Sequence, residues 1–371
     1  MSEELQAMAD RVMKRMRKPK QDVASPEQQK LSCPLIPTGS IMLNLACSDT
    51  GSGGYGAGKI VNLIGDSSSG KTLLAFSMFA EMARDSRFDD YAFIYDDVEQ
   101  ACEFNIKGLF SEKVAERVIP PYTVQDGDGE ALPKYSETVQ EFHANVFEVI
   151  ERGQPFVYVL DSLDALSSTD EQGRLEDQVQ AVRQGKELKG SYRMEKPKLI
   201  GEILRTILSK LKSTKSMLLV ISQTRDNIDP MSFEKRTRSG GKALRFYASH
   251  EIWLAVKGKI KSKERVIGSN IKAKVSKNKL TGKLREVEFS VYYDYGVDDL
   301  GACIDFLLEE GKWQKKGNTI LTPMESLNGT RQKVIQNIEE QGEQEWLINR
   351  TEVAWQEIEE SVRLNRKPKY E

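Results

Sequence analysis

Short, continuous apolar runs punctuate the first part of the chain: Ile60-Val-Asn-Leu-Ile64, Tyr91-Ala-Phe-Ile-Tyr95, Phe156-Val-Tyr-Val-Leu160 and Met217-Leu-Leu-Val-Ile221. Runs of this length without alternation mark strands buried on both faces. Between them the period changes. Residues 73 to 82 are rich in helix formers, 136 to 151 read as a helix, and 198 to 212 set Leu204, Ile207, Leu208 and Leu211 at helical spacing. Strand and helix in alternation predict an α/β fold with a twisted, mainly parallel sheet and right-handed crossovers. Farther on, the segments around Ile252, Ile271 and Val287 alternate apolar with polar positions, which predicts antiparallel strands extending the same sheet. Helical patterns near residues 304 to 308, 331 to 338 and 353 to 362 read as a small α-rich lobe over 299–371. At the other end, Leu5, Met8, Val12, Met13 and Met16 share one helical face opposite Lys and Arg, and residues 18 to 26 read as a linker. The expected division is therefore 1–36 (helix and linker, for oligomerisation), 37–298 (core) and 299–371. The helix is expected to dock on its own domain or on a neighbouring subunit.

Bulk properties change this picture little. The chain has 371 residues, 39% of them hydrophobic, and exceeds the size at which single cores usually stop growing. Its net charge of -2 with 30% charged residues means that any attraction to nucleic acid must come from local patches. Cys33, Cys47, Cys102 and Cys303 lie far apart, and the histidines are His143 and His250 alone, so neither a disulfide framework nor a zinc site is expected. A reducing cytoplasm is the default setting. No window approaches the ~20 apolar residues of a membrane span, so no membrane partner is expected.

The chemistry begins where the first strand ends. Gly65-Asp66-Ser67-Ser68-Ser69-Gly70-Lys71-Thr72 fits the phosphate-loop spacing G-x-x-x-x-G-K-[ST], with a strand before it and a helical pattern after it. The glycines let backbone N–H groups curl round a triphosphate, Lys71 can reach the β and γ oxygens, and the Thr72 hydroxyl is a Mg²⁺ ligand. ATP and Mg²⁺ are thus the expected substrate and cofactor. In open parallel sheets, reacting groups collect beyond the carboxyl ends of the strands. Asp161 stands there to organise Mg²⁺, Glu99 to orient an attacking water with Asp96 and Asp97 as close rivals, and Gln223 where a γ-phosphate sensor would sit. Strand-end carboxylates also serve as helix caps, and a Gln there can simply tie down a loop.

The order of these pieces resembles the RecA recombinase family. Pro37-Thr-Gly-Ser40, the phosphate loop, Asp161-Ser162, Val220-Ile-Ser-Gln223, Ser239-Gly-Gly-Lys-Ala-Leu-Arg-Phe-Tyr-Ala-Ser249 and Lys274-Val-Ser-Lys-Asn-Lys279 follow one another as in that family, over about residues 38 to 295. The string around Ser239 is far more specific than a phosphate loop. The resemblance implies a RecA-like core, with Glu99 activating water and Gln223 linking the γ-phosphate to a second DNA-binding loop. It also implies that Lys277 and Lys279 reach the nucleotide of the adjacent subunit, and that Phe246 faces that neighbour. Glu103 joins the nucleotide-binding residues. The family's adenine-stacking aromatic falls on Ile106, which leaves the nucleotide preference open.

For DNA the resemblance implies loops at 168–198 and 224–241. The first is longer than its family counterpart and holds Arg174, Arg183, Lys186, Lys189, Arg193, Lys196 and Lys198, like an extra basic arm, with Met194 near the loop's apolar residue. The second holds Arg225, Ile228, Arg236, Arg238, Ser239, Gly240, Gly241 and Lys242, Ile228 being the wedge between bases. Arg205 matches a backbone contact. Residues 257 to 265 read as a second DNA surface or a solvated hairpin. The implied function is a DNA-dependent ATPase that forms a helical filament on single-stranded DNA and pairs it with homologous duplex, in a bacterial or phage-infected cell. A ring helicase of the same fold and an accessory protein using ATP as a switch remain alternatives.

Overall fold

The computed structural model describes residues 33–103, 105–184, 195–226, 236–238 and 241–366, all in the compact unit Cys33–Glu371. The predicted N-terminal helix lies outside the described residues. In chain order the elements used below are α1 (Ile41–Ser48), β1 (Ile60–Gly65), α2 (Lys71–Arg84), β2 (Ala92–Asp97), β3 (Val118–Ile119), β4 (Tyr122–Gln125), β5 (Ala131–Lys134), α3 (Val139–Glu151), β6 (Phe156–Asp161) and α4 (Thr169–Arg183). They continue with α5 (Glu195–Thr214), β7 (Met217–Asp226), β8 (Arg236–Arg238), α6 (Gly241–Tyr247), β9 (His250–Ser262), β10 (Arg265–Asn278), β11 (Glu286–Tyr292), β12 (Gly296–Val297), α7 (Asp299–Glu309), α8 (Arg331–Gln341) and α9 (Gln344–Ser361).

The central sheet runs β12-β11-β10-β9-β1-β7-β6-β2-β3, with β8 paired to β7. From β9 to β3 all neighbours are parallel, and β10, β11, β12 and β8 add antiparallel pairs. The predicted mixed sheet is the one observed. Its unbroken apolar strands serve two cores, because successive side chains point to opposite faces. Val61, Leu63, Phe93, Tyr95, Val157 and Val159 go to the first core, with Phe76 and Phe79 of α2. Ile60, Ile94, Phe156, Tyr158 and Leu160 go to the second, with Phe142 and Val146 of α3 and Ile207 and Leu211 of α5. The C-terminal helices join the first core: Cys303, Ile304, Leu347 and Trp355 are buried in the same cluster as Val287 and Phe289 of β11.

Other features do not follow from the apolar pattern. β4 and β5 form a separate antiparallel hairpin in which Val124 faces Leu132, both nearly half exposed. Within residues 168–198, expected as a loop, α4 fills the first half and α5 already begins at Glu195. Residues 257 to 265 lie in the β9–β10 hairpin, whose tip projects past its sheet neighbours: β1 pairs β9 only as far as Leu254, and β11 pairs β10 only from Gly268.

Candidate functional site

β1 delivers Gly65 to the sheet's carboxyl edge, and the chain turns there into α2. A β-carbon at Gly65 would meet the Leu254 carbonyl at 2.8 Å, so only glycine lets these backbones approach. Gly70 lies at φ +83°, in the left-handed region, and nothing stands within 4 Å of where its β-carbon would be, so the N-terminus of α2 is open. The Lys71 ammonium donates to the carbonyls of Gly65 (3.0 Å) and Asp66 (2.7 Å). Burial lowers its pKa, against the opposing pull of Asp161, Glu99, Asp66 and Asp164. Ser69 is buried with no hydrogen-bond partner for its hydroxyl, whereas Ser67 and Ser68 are exposed. The Thr224 hydroxyl donates to Asp66 and ties the loop to β7.

Strand register assembles the remaining groups. Asp97 is paired with Asp161 and Gly65 with Gln223. Asp161 accepts from the Thr72 hydroxyl (2.6 Å) and the Tyr95 hydroxyl (2.9 Å), which offset part of the rise in its pKa caused by burial. Glu99 accepts at one oxygen from the Ser162 hydroxyl and from the Gln223 side-chain amide (2.9 Å). The Gln223 N–H donates to Asp164 at 2.8 Å. The rivals of Glu99 are engaged elsewhere. Asp96 is buried and accepts from Ser136 and Tyr158, and Asp97 accepts from the Ala101 and Cys102 N–H groups. Glu103 is exposed on the chain just beyond that turn, and Ile106 packs against the first core.

The groups present fit a magnesium–nucleotide. Among the described residues no cluster of three or more His, Cys, Asp or Glu is set to hold a metal alone. Thr72 and Asp161, hydrogen-bonded to each other, would supply the one or two protein oxygens that Mg²⁺ takes beside phosphate and water. The orphaned Ser69 hydroxyl, and the Lys71 ammonium that rests on main-chain carbonyls, could donate to phosphate oxygens.

A second cluster stands apart from this one. Lys277 donates to the carbonyls of Arg245 and Phe246, and Lys279 to that of Phe246 (3.0 Å), so both hold the end of α6. The Phe246 ring is 70% exposed, with the Lys279 ammonium 5.8 Å from its centroid. Lys277 pairs with Glu251, and Glu251 with Asn62, which is three residues back from Gly65 on β1. Between α5 and α6, Lys198, Arg205, Lys242, Phe246 and Tyr247 line an open cleft of about 490 Å³. Arg225 lies on β7, and Arg236 and Arg238 on β8, the antiparallel ribbon that continues from Gln223. Gly241 and Lys242 open α6. Arg193, Met194, Ile228, Ser239 and Gly240 lie outside the described residues. The pattern of residues did not single out Tyr95, Asp164 or Thr224. Asp164, three residues past Asp161, offered the nearest signal.

The RecA N-terminal domain family matches this chain over residues 6–120 and 133–298, passing over β4 and the start of β5. Similar proteins include Protein RecA of Caulobacter vibrioides, 28% identical over 338 residues (91% of this chain, 83% of that protein). Protein RecA of Bartonella quintana is 29% identical over 318 residues (85% and 82%), and that of Syntrophobacter fumaroxidans 30% over 291 residues (78% and 75%). With its phosphate loop, strand-end carboxylates and mixed sheet in the same order, the chain belongs to the RecA family of recombinases.

Proposed function

We propose that this recombination protein is a DNA-dependent ATPase. It assembles head to tail on single-stranded DNA, pairs that strand with homologous duplex, and resets by hydrolysing ATP to ADP and phosphate. The observation that carries this reading is the hydrogen-bonded path Ser162–Glu99–Gln223, which joins the nucleotide edge to the ribbon of β7 and β8.

The backbone of residues 65 to 72, with the Lys71 ammonium, holds the β and γ phosphates at the α2 N-terminus. Lys71 exchanges the carbonyls of Gly65 and Asp66 for phosphate oxygens. Mg²⁺, held through Thr72 and Asp161, would neutralise the charge on the phosphate oxygens. Glu99, one oxygen already fixed by Ser162 and Gln223, orients a water with the other. The water oxygen bonds to the γ-phosphorus while the bond to the β–γ bridging oxygen breaks. The water's proton passes to Glu99, and the electron pair leaves on ADP. Phosphoryl transfer asks for little beyond this positioning and charge stabilisation.

Gln223 is the coupling residue, because a γ-phosphate that competes for its amide acts directly on the strand leading into the second DNA loop. Arg225, Arg236, Arg238 and Lys242 neutralise strand phosphates, and Arg205 does so in the cleft beside α6. The resemblance adds Arg193, Met194, Ile228, Ser239, Gly240 and Gly241 as further DNA-contacting residues. Lys277, Lys279 and exposed Phe246 meet the next copy, since repeated asymmetric contacts that do not close give open helices. Glu103 belongs to the nucleotide side.

Glu99→Gln keeps the hydrogen-bond acceptor and removes the base. Turnover on single-stranded DNA is expected to fall by about 10²–10⁴, while ATP-dependent assembly on DNA, followed by light scattering, persists. Unchanged turnover would rule out Glu99 as the base and favour an ATP-switch accessory protein.

A further inference from the structure

Glu251 is a carboxylate set inside an otherwise apolar strand. It lies near the start of β9 and is 2% exposed. Its neighbour Ile252 points into the first core, so Glu251 points to the opposite face, where Leu244 of α6 is buried. Burying an ionised carboxylate is costly unless cations stand beside it. Two do. The Arg245 guanidinium of α6 lies 3.7 Å away, and Lys277 of β10 is the residue paired with Glu251 across the ladder. Both cations belong to the surface of Phe246 and Lys279: the Arg245 side chain is 60% exposed, and the Lys277 ammonium rests on the carbonyls of Arg245 and Phe246. Burial, Lys279 on the same strand and Arg245 on α6 all disfavour the charged form of Lys277, and Glu251 on β9 favours it.

On the other side of Glu251 stands Asn62, its partner in the parallel pair of β9 with β1, so the two side chains share a face. Asn62 is wholly buried. Its carbonyl oxygen accepts from the Ser222 hydroxyl (2.8 Å), but its amide nitrogen has no hydrogen-bond partner among the described residues. A buried donor left unmatched costs stability, and one that persists calls for an explanation. Here the neighbouring carboxylate supplies it. A cation that turns outward to a phosphate leaves the buried carboxylate behind it less well neutralised, and an amide donor on the adjacent strand offsets that loss.

We propose that Glu251 is a positioning residue for the interface lysine: it holds Lys277 and Arg245 poised at α6, and passes to the Asn62 amide when they turn to the triphosphate of the next protomer. This rests on the reading of Lys277 as a residue that meets the neighbour's nucleotide. It adds an anchor inside the protomer, which sets the charge and the resting place of the lysine without itself touching nucleotide.

The test follows DNA-dependent turnover of the full chain, with ATP and long single-stranded DNA, between about pH 6 and 9. Glu251→Gln keeps the size and removes the charge that favours the ammonium. Its decline at high pH is expected to begin about one pH unit lower than in wild type. Lys277→Arg on the same background supplies a cation that does not titrate and should remove the decline. A Glu251→Gln profile that coincides with wild type, or one lowered equally at every pH, overturns this inference alone. A wild-type profile flat to pH 9 overturns the role of Lys277 and the inference with it. In a second arm, Asn62→Leu keeps the volume and removes the amide. Its KM for ATP in DNA-dependent turnover is expected to rise about tenfold, while ATP binding by the DNA-free chain stays unchanged. An unchanged KM, or an equal loss in the DNA-free chain, would contradict the exchange.

Discussion

Three carboxylates fall within four residues at and just beyond the end of β2, and their hydrogen bonds give each a different task. Asp96 is sealed under Ser136 and Tyr158, Asp97 holds a turn, and Glu99 alone of the three meets Ser162 and Gln223. Lys277 offers a test at the same scale. Burial, with Lys279 close by, brings its ammonium down to about 8, so its charge is present below that pH and lost above it. If that charge reaches the neighbour's nucleotide, DNA-dependent turnover declines between pH 7 and 9. Lys277→Arg, always protonated, should flatten the decline whatever its absolute rate. A wild-type profile flat to pH 9 would remove the role. Lys71, Thr72 and Asp161 were legible because their meaning lies in spacing along the chain. Tyr95, Asp164 and Thr224 were not, because their partners arrive through strand register: Asp97 opposite Asp161, and Gly65 opposite Gln223.

At the scale of elements, the buried strands were legible for a plain reason: a strand covered on both faces has no polar side to break the apolar run. The β4–β5 hairpin was not, since its short strands pack on little and the exposed tip needs no apolar pattern. α4 was hidden similarly, its apolar positions being too few and too interrupted by charge to stand out from a loop. α9 shows how a helix beyond the matched region is held. Arg285 donates to both oxygens of Glu359 (2.5 and 2.7 Å), and Lys283 lies 2.8 Å away. The hydrogen bonds from Arg285 and Lys283 pull the Glu359 carboxyl down to about 2. For a carboxyl depressed in the folded state, the stabilisation is complete above its unfolded range and lost as pH falls through the folded value. Glu359→Gln is therefore expected to cost about 2 kcal/mol in urea unfolding at pH 7, with the gap to wild type closing as pH drops from 5 toward 3. A gap independent of pH would mean that the ion pair does not pin the helix.

Across the whole molecule, one sheet carries two cores and one working edge. The phosphate loop, the carboxylates and Gln223 are held by strands whose side chains are buried on both sides, so their positions are fixed before any ligand binds. β7 and β8 continue from that edge, and under the proposed function they lead to the DNA-binding loop, which would make Gln223 the narrowest point between the two activities. The most direct measurement is the ATP turnover of wild type and Gln223→Ala, each with and without single-stranded DNA. DNA should raise the wild-type rate at least tenfold, about 1.4 kcal/mol off the barrier, and leave the rate of Gln223→Ala unchanged while that variant still binds ATP. A wild-type rate indifferent to DNA, or a Gln223→Ala rate stimulated as strongly as wild type, would contradict the account.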